Sequence, residues 1–108
     1  MINDKTYNGW VNYETWLVNI HTDNSYVEVA QEAYKNAEAA KHFTKEENAA
    51  LWVAEHIEEC VREWVETESV TNPLVSDLIN AALGEVYWYE IAKHYIEQVV
   101  FDQESEAA

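Results

Sequence analysis

Glycine and proline, the residues that most often form tight turns, are almost missing from this chain, whose 108 residues include two Gly and one Pro. A β fold with many short strands needs more turn residues than that. The apolar residues instead recur at spacings of three and four, which is the period of an α-helix. The sequence therefore predicts an all-α fold, a single compact domain over residues 1–108 with about five helices around an aromatic core.

Capping residues mark the starts of four of these helices. Asn12 is the expected N-cap of the first helix, and Asn72 followed by Pro73 is the expected start of the fourth. The segments 25–28 (Ser-Tyr-Val-Glu) and 44–47 (Thr-Lys-Glu-Glu) have the form of a capping box, which predicts the starts of the second and third helices. His42 is the expected last residue of the second helix, where a cation suits the helix dipole.

The expected helix bounds follow from the same pattern. The third helix covers about residues 45–66, the fourth ends at Gly84, and the fifth covers about residues 86–103. Residues 1–10 are expected to form a turn-like segment and residues 104–108 a frayed tail. The residues expected to face the core are Trp16, Leu17 and Ile20; Ala30, Ala33, Tyr34 and Ala37; Ala50, Val53, Ala54, Ile57, Val61, Trp64 and Val65; Leu74, Leu78, Ala81 and Ala82; and Trp88, Ile91, Ala92, Tyr95, Ile96 and Val99.

The chain is strongly acidic, because 21 Asp and Glu against 6 Lys and Arg give a formal net charge of -15. Since 48% of its residues are hydrophobic, we expect a folded domain and not a disordered acidic tail. The negative field repels nucleic acid and anionic lipid, and it attracts basic protein surfaces. We therefore expect no direct binding of nucleic acid, and a partner protein with a basic nucleic-acid-binding groove.

The sequence also bears on location. It contains no run of about eighteen apolar residues, and its first residues lack the apolar segment of a secretory signal. The single Cys60 fits a reducing compartment. We therefore expect no membrane association and a cytoplasmic location.

Five glutamates of the third helix are spaced three and four residues apart, so they share the face opposite its apolar stripe. Residues four apart rise about 6 Å along a helix, which is roughly two phosphate steps of about 3.4 Å along one DNA strand. This face either binds a basic partner or is a solvated face that keeps the chain soluble. The candidate partner-binding residues are Glu55, Glu58, Glu59, Glu63 and Glu66, with a possible extension by Glu28, Glu32, Glu85, Glu90 and Glu97.

Residues suited to catalysis or metal binding are few. His56 and Cys60 lie four residues apart on the third helix, a spacing that can bind zinc, but two ligands are too few for a structural site. The other histidines are isolated in the sequence, and no nucleophile motif or Gly-rich phosphate loop is visible. We expect no metal site, no cofactor and no enzymatic activity.

The densest motif covers residues 8–16 (Asn-Gly-Trp-Val-Asn-Tyr-Glu-Thr-Trp). We expect it to pack as a corner of the core, and the alternative is an exposed Trp–Tyr hot spot for a partner. The motif resembles an Asn-Gly-Trp-x-Asn-x-Glu-Thr-Trp signature near the start of small uncharacterised acidic proteins of bacteriophages, plasmids and archaeal mobile elements. Residues 88–97 (Trp-Tyr-Glu-Ile-Ala-Lys-His-Tyr-Ile-Glu) resemble the closing helix of that family. The resemblance implies a mobile-element origin.

Phage proteins of this size and charge often resemble DNA-mimic inhibitors of host defence, such as antirestriction proteins, anti-CRISPR proteins and inhibitors of repair glycosylases. By this analogy we expect a phage or mobile-element accessory protein that binds and inhibits a host nucleic-acid-handling protein through its acidic face, in the host cytoplasm. The alternative is a non-catalytic assembly module, a possible homodimer, in which exposed aromatics drive self-association and the charge maintains solubility.

Overall fold

The structure is a computed structural model that describes residues 7–68 and 72–107. Over these ranges it contains no β-strand, only an isolated bridge between Tyr7 and Trp10. The predicted all-α fold of five helices is confirmed, and residues 1–6 of the predicted turn-like segment lie outside the described residues. The helices are α1 (Tyr13–His21), α2 (Val27–Asn36), α3 (Lys45–Glu68), α4 (Pro73–Leu83) and α5 (Trp88–Ala107).

Three helices form the core. The interface of α3 with α5 is the largest, α2 packs against both, and α1 and α4 make smaller interfaces with α5 and α3. Ile57 of α3 and the pair Ile91 and Ile96 of α5 are the largest fully buried aliphatic side chains. Burial of one such side chain contributes about 1.5–3 kcal/mol. The predicted apolar face of α5 therefore lies at the centre of the molecule.

Three predicted caps are present. The Asn12 side chain accepts a hydrogen bond from the Thr15 N–H at 2.9 Å. At the start of α3, Thr44 Oγ1 accepts from the Glu47 N–H at 3.0 Å and Glu47 Oε1 accepts from the Thr44 N–H at 2.8 Å. Asn72 Oδ1 accepts from two N–H groups in the first turn of α4. Each cap satisfies donors that a helix start leaves unpaired.

The prediction for α2 is wrong at both ends. Ser25 is not its N-cap: it belongs to the turn after α1, where its N–H donates to the Thr22 carbonyl at 2.9 Å. The helix begins at Val27 after Tyr26, whose side chain makes no capping bond. It ends at Asn36, so His42 lies in the following loop and not in the last helical turn.

Several residues predicted to face the core are exposed. Ile20 is 46% exposed, Trp64 is 54% exposed and Leu78 is 62% exposed. Trp64 lies seven residues after the buried Ile57, on the same side of α3, but the packed core covers only the earlier part of that side. In α4, Leu83 is buried and Ile79 is partly buried against the core. The side of α4 that packs on the core is therefore the side of these two residues and not the predicted side, which contains Leu74 and Leu78.

The ends of α4 and α5 complete the fold. The Gly84 N–H donates to the Asn80 carbonyl at 3.0 Å and closes α4 where the sequence predicted its end. α5 continues to Ala107, beyond the expected start of the tail at residue 104. Among the described helices, none combines the length and apolar character needed to cross a bilayer.

Candidate interaction surfaces

The N-terminal motif of residues 8–16 begins with a tight turn. Asn8 and Gly9 both have positive φ angles, 49° and 89°, which only a few residue types adopt readily. This turn lets Tyr7 and Trp10 exchange backbone hydrogen bonds of 3.0 and 2.7 Å. The chain thereby folds back before α1 begins.

The polar residues of this motif bind the rest of the fold. Asn12 caps α1 and also donates from Nδ2 to the Glu85 carbonyl at 2.7 Å. Thr15 is fully buried, and its Oγ1 accepts a hydrogen bond from the Tyr87 N–H at 2.8 Å. Both bonds join α1 to the segment before α5, more than seventy residues later in the chain.

The aromatic residues of the motif have the same structural role. Tyr7 packs against Trp16 and Tyr13 with ring centroids 4.8 and 5.0 Å apart, and the Trp10 ring lies 4.4 Å from that of His94 in α5. Trp16, predicted to be buried, is half-buried in this cluster. The motif therefore forms the predicted corner of the core.

The acidic face of α3, defined by Glu55, Glu58, Glu59, Glu63 and Glu66, lies opposite the buried stripe of the helix. Four of these residues are exposed and Glu58 is half-buried. From the first to the last, the row extends about 16 Å along the helix axis at 1.5 Å per residue. That length is roughly five phosphate steps along one DNA strand.

This face carries little compensating positive charge. Arg62 Nε donates to Glu58 Oε2 at 2.8 Å, and this is the only ion pair that joins two described residues. Exposed pairs four residues apart contribute about 0.3–0.5 kcal/mol. Repulsion between neighbouring members of the other four carboxylates costs a similar free energy per pair. The charges of this face therefore do not stabilise the helix.

The five residues proposed to extend this face are distributed over α2, the segment before α5 and α5 itself. Glu28 and Glu32 are exposed on α2, Glu85 precedes α5, and Glu97 is exposed on α5. Glu90 is the exception: it is 4% exposed, and its Oε1 accepts the Val11 N–H at 3.1 Å. The prediction that it is a surface residue is wrong, because the N-terminal segment covers that side of α5.

An apolar patch that sequence analysis missed precedes the acidic face. Leu51 and Trp52 are exposed on the outer side of α3, one turn before Glu55. The Trp52 ring stacks on His56 with a centroid distance of 5.4 Å. The signal was present in the sequence, since both residues lie off the apolar stripe that the helical period defines.

His56 and Cys60 contact each other, with 3.6 Å between Nε2 and Sγ. No group of three or more potential metal-ligating side chains occurs among the described residues. His56 is also held between rings, in an edge contact with Tyr26 and the stack on Trp52. The pair is therefore part of the packing between α2 and α3.

A groove runs between the start of α3 and α5, with a volume of about 430 Å³. Its floor is apolar and includes Ala50, Ile96 and Val100, and Phe101 at its edge is 58% exposed. We call it the α3–α5 groove. Its charged lining residues are Glu46, Glu47, Glu97, Glu104 and Lys93.

One side of α4 presents apolar residues to solvent. Leu74 is 65% exposed, and Val75 and Leu78 are also exposed. The two alanines on the same side, Ala81 and Ala82, are exposed as well. We call these five residues the α4 stripe. The sequence period correctly grouped most of them on one face, but that face does not pack on the core.

Comparison with known proteins matches residues 3–105 to the model of a family of unknown function. The chain belongs to this family, DUF7249. No curated protein and no solved structure matches the chain. The match to DUF7249 includes the acidic face of α3, the α3–α5 groove and the α4 stripe, and the family description assigns an activity to none of them.

Proposed function

We propose that this DUF7249 chain is a phage or mobile-element accessory protein that binds and inhibits a host nucleic-acid-handling protein. In this proposal the acidic face of α3 takes the place of nucleic-acid phosphates. The observation that supports it most is the row of four exposed glutamates along about 16 Å of one helix, beside a single arginine. The resemblance of the N-terminal motif to mobile-element proteins supports the biological setting.

The proposed contact is electrostatic. Lysine and arginine side chains that normally bind phosphates would pair with Glu55, Glu59, Glu63 and Glu66 in a basic groove of the host protein. Complementary fields of this kind accelerate association and make affinity depend strongly on salt. Because the inhibitor and the nucleic acid use the same groove, they compete for it.

The test compares charge reversal on this face with equal charge reversal elsewhere. The triple variant E55K/E59K/E63K changes the acidic face, and D23K/E38K/D102K makes the same change in net charge at exposed positions outside it. Each immobilised protein is incubated with nuclease-treated bacterial lysate and then washed with salt or with duplex DNA.

The proposal predicts that the natural chain and D23K/E38K/D102K retain a nucleic-acid-binding protein that both salt and duplex DNA release. E55K/E59K/E63K should not retain it, although its circular dichroism spectrum should be unchanged because these residues lie opposite the core. A partner that E55K/E59K/E63K still retains, or one that is insensitive to salt and to DNA, contradicts the proposal.

The second candidate is the assembly module, and the exposed α4 stripe favours it. Asp77 is the only charged residue in α4, so two acidic chains can approach through this helix with little repulsion between their α4 side chains. Leu78→Lys should then abolish self-association in sedimentation equilibrium. Asn80→Lys, which adds the same charge off the stripe, should leave it intact. Equal behaviour of the two variants excludes the stripe as the interface.

A further inference from the structure

We propose that the α3–α5 groove binds a basic amphipathic segment of a partner protein. Apolar side chains of that segment lie on the floor of the groove. Its lysines or arginines reach the rim, which we define as Glu46, Glu47, Glu97 and Glu104. This inference goes beyond the proposed function, since it concerns a different surface and stands whether or not the acidic face of α3 takes the place of phosphates.

The charge of the rim selects a cationic occupant. Glu46 and Glu47 lie in the first turn of α3, and Glu97 and Glu104 lie on α5 across the groove, with Lys93 as the single basic residue of the lining. Four carboxylates against one ammonium repel nucleic acid and anionic lipid. A second copy of this chain is disfavoured for the same reason.

The floor selects an occupant with apolar side chains. Ala50 and Ile96 are buried at its base, Val100 is half-buried, and the Phe101 ring is mostly exposed to solvent. A small polycation such as a polyamine pairs with carboxylates but leaves these apolar surfaces wet. An amphipathic helix covers them and gains about 25 cal/mol for each Å² removed from water.

The length of the groove fits a peptide. Its lining residues on α5 begin at Tyr89 and end at Glu104, a distance of about 22 Å at 1.5 Å per residue. That distance is longer than most small ligands and equals roughly four turns of a helix. The groove is therefore the size of a helix-binding surface.

The raised pKa of Tyr89, a lining residue of the groove, agrees with a negative field there. Burial, and after it the negative charge of Glu47, raises the pKa of this phenol above 10.0, with a further contribution from Glu97. Glu47 is held in place by its hydrogen bond from the Thr44 N–H. Carboxylates from α3 and from α5 thus act on the same point of the groove.

The experiment uses a fluorescein-labelled synthetic helix of about four turns with leucine on one face and lysine on the other. A second peptide with the same number of lysines, and serine in place of leucine, measures binding by charge alone. Affinities are obtained by fluorescence anisotropy. Amide chemical-shift changes in the labelled protein then locate the peptide.

Three variants make the test specific for the groove. F101S/E97Q removes one exposed apolar side chain and one carboxylate from the groove, and I20S/D23N makes the matched change at exposed positions of the α1 region. Lys93→Gln removes the single ammonium. Thermal melts of all three establish that the fold is retained.

The proposal predicts that the Leu/Lys peptide binds the natural chain and I20S/D23N equally well, and F101S/E97Q about tenfold more weakly. Lys93→Gln should bind it about two- to fivefold more tightly, the size of an exposed charge interaction. Shift changes should centre on residues 46–50 and 96–101.

Three results overturn the inference: equal weakening by the two double variants, equal binding of the serine peptide, or shift changes centred on the outer side of α3. Weaker binding by Lys93→Gln also contradicts it. Failure here is distinguishable from failure of the proposed function, because the lysate assay depends on Glu55, Glu59 and Glu63, which do not line the groove.

Discussion

The substitution Thr15→Val tests whether the N-terminal motif joins the two ends of the fold. Thr15 is fully buried, and its hydroxyl accepts the Tyr87 N–H at 2.8 Å. Valine has nearly the same shape, so packing is preserved while the acceptor is lost. A buried donor without a partner costs about 1–3 kcal/mol. Because the Tyr87 side chain is exposed and water can approach, we expect a cost of about 1–2 kcal/mol, in the lower part of that range.

Thr22→Val is the matched control. Thr22 is also buried, but its hydroxyl donates to the Val18 carbonyl within the same turn. The Val18 carbonyl also accepts a hydrogen bond from the Thr22 N–H at 3.0 Å. Because that bond remains in the variant, the substitution leaves no group unpaired. We expect a change below about 0.5 kcal/mol, within the range of ordinary tolerated substitutions.

The assay is urea unfolding followed by circular dichroism, with thermal melts in parallel. For a domain of this size each kcal/mol lowers the melting temperature by roughly 4–8 °C. Thr15→Val should therefore melt clearly below Thr22→Val, with the same urea m-value. Equal stability of the two variants would show that the bond from the Tyr87 N–H to Thr15 contributes nothing, and the structural role of the motif would then rest on Asn12 and on its aromatic residues.

Three further predictions concern charge, burial and pH. The melting temperature should rise from low to physiological salt, and Glu59→Gln should be neutral or stabilising, because both relieve repulsion on the acidic face; a flat salt dependence contradicts this. In urea, Trp64→Ala should cost clearly less than the 3–5 kcal/mol of a buried tryptophan, whereas Ile57→Ala should cost about 2–5 kcal/mol. Thermal stability should decline above about pH 10, because burial raises the pKa of Tyr26 and Tyr95 and the unfolded chain releases these protons first.

Helix starts could be predicted where the signal is local. The Thr44 and Glu47 capping box and the Asn72 cap need only neighbouring residues, and both form as predicted. The same pattern at Ser25 failed: Ser25 belongs to the turn after α1, where its N–H bonds to the Thr22 carbonyl and not to Glu28, and the helix begins after Tyr26. A capping pattern therefore predicts a helix start only when the preceding turn does not include the residue expected at the N-cap position.

Burial was predicted less well, for a different reason. The helical period identifies which residues share a face, and it placed Ile57 and Ile91 correctly. It carries no information on how far the neighbouring helix extends along that face. Trp64 lies on the buried side of α3 but beyond the packed core, and Leu78 lies on a face of α4 that no described helix covers.

The α3–α5 groove was beyond the reach of sequence analysis. Glu46 and Glu97 are about fifty residues apart in the chain, and only the packing of α3 against α5 places them on one rim. The acidic face of α3 was accessible because its members lie on one helix at the helical period. Glu90 looked the same in the sequence, but the tertiary fold covers it.

The distribution of charge separates the possible partners by their response to salt. The acidic face and the rim of the groove contain carboxylates, so binding of a basic protein at either surface weakens as salt screens the attraction. The α4 stripe has only Asp77 nearby in its own helix, and burial of its leucines does not depend on charge attraction. Salt instead reduces the repulsion between two chains of charge -15 and thus strengthens their association. The sign of the salt dependence therefore distinguishes partner binding from self-association before any partner is identified.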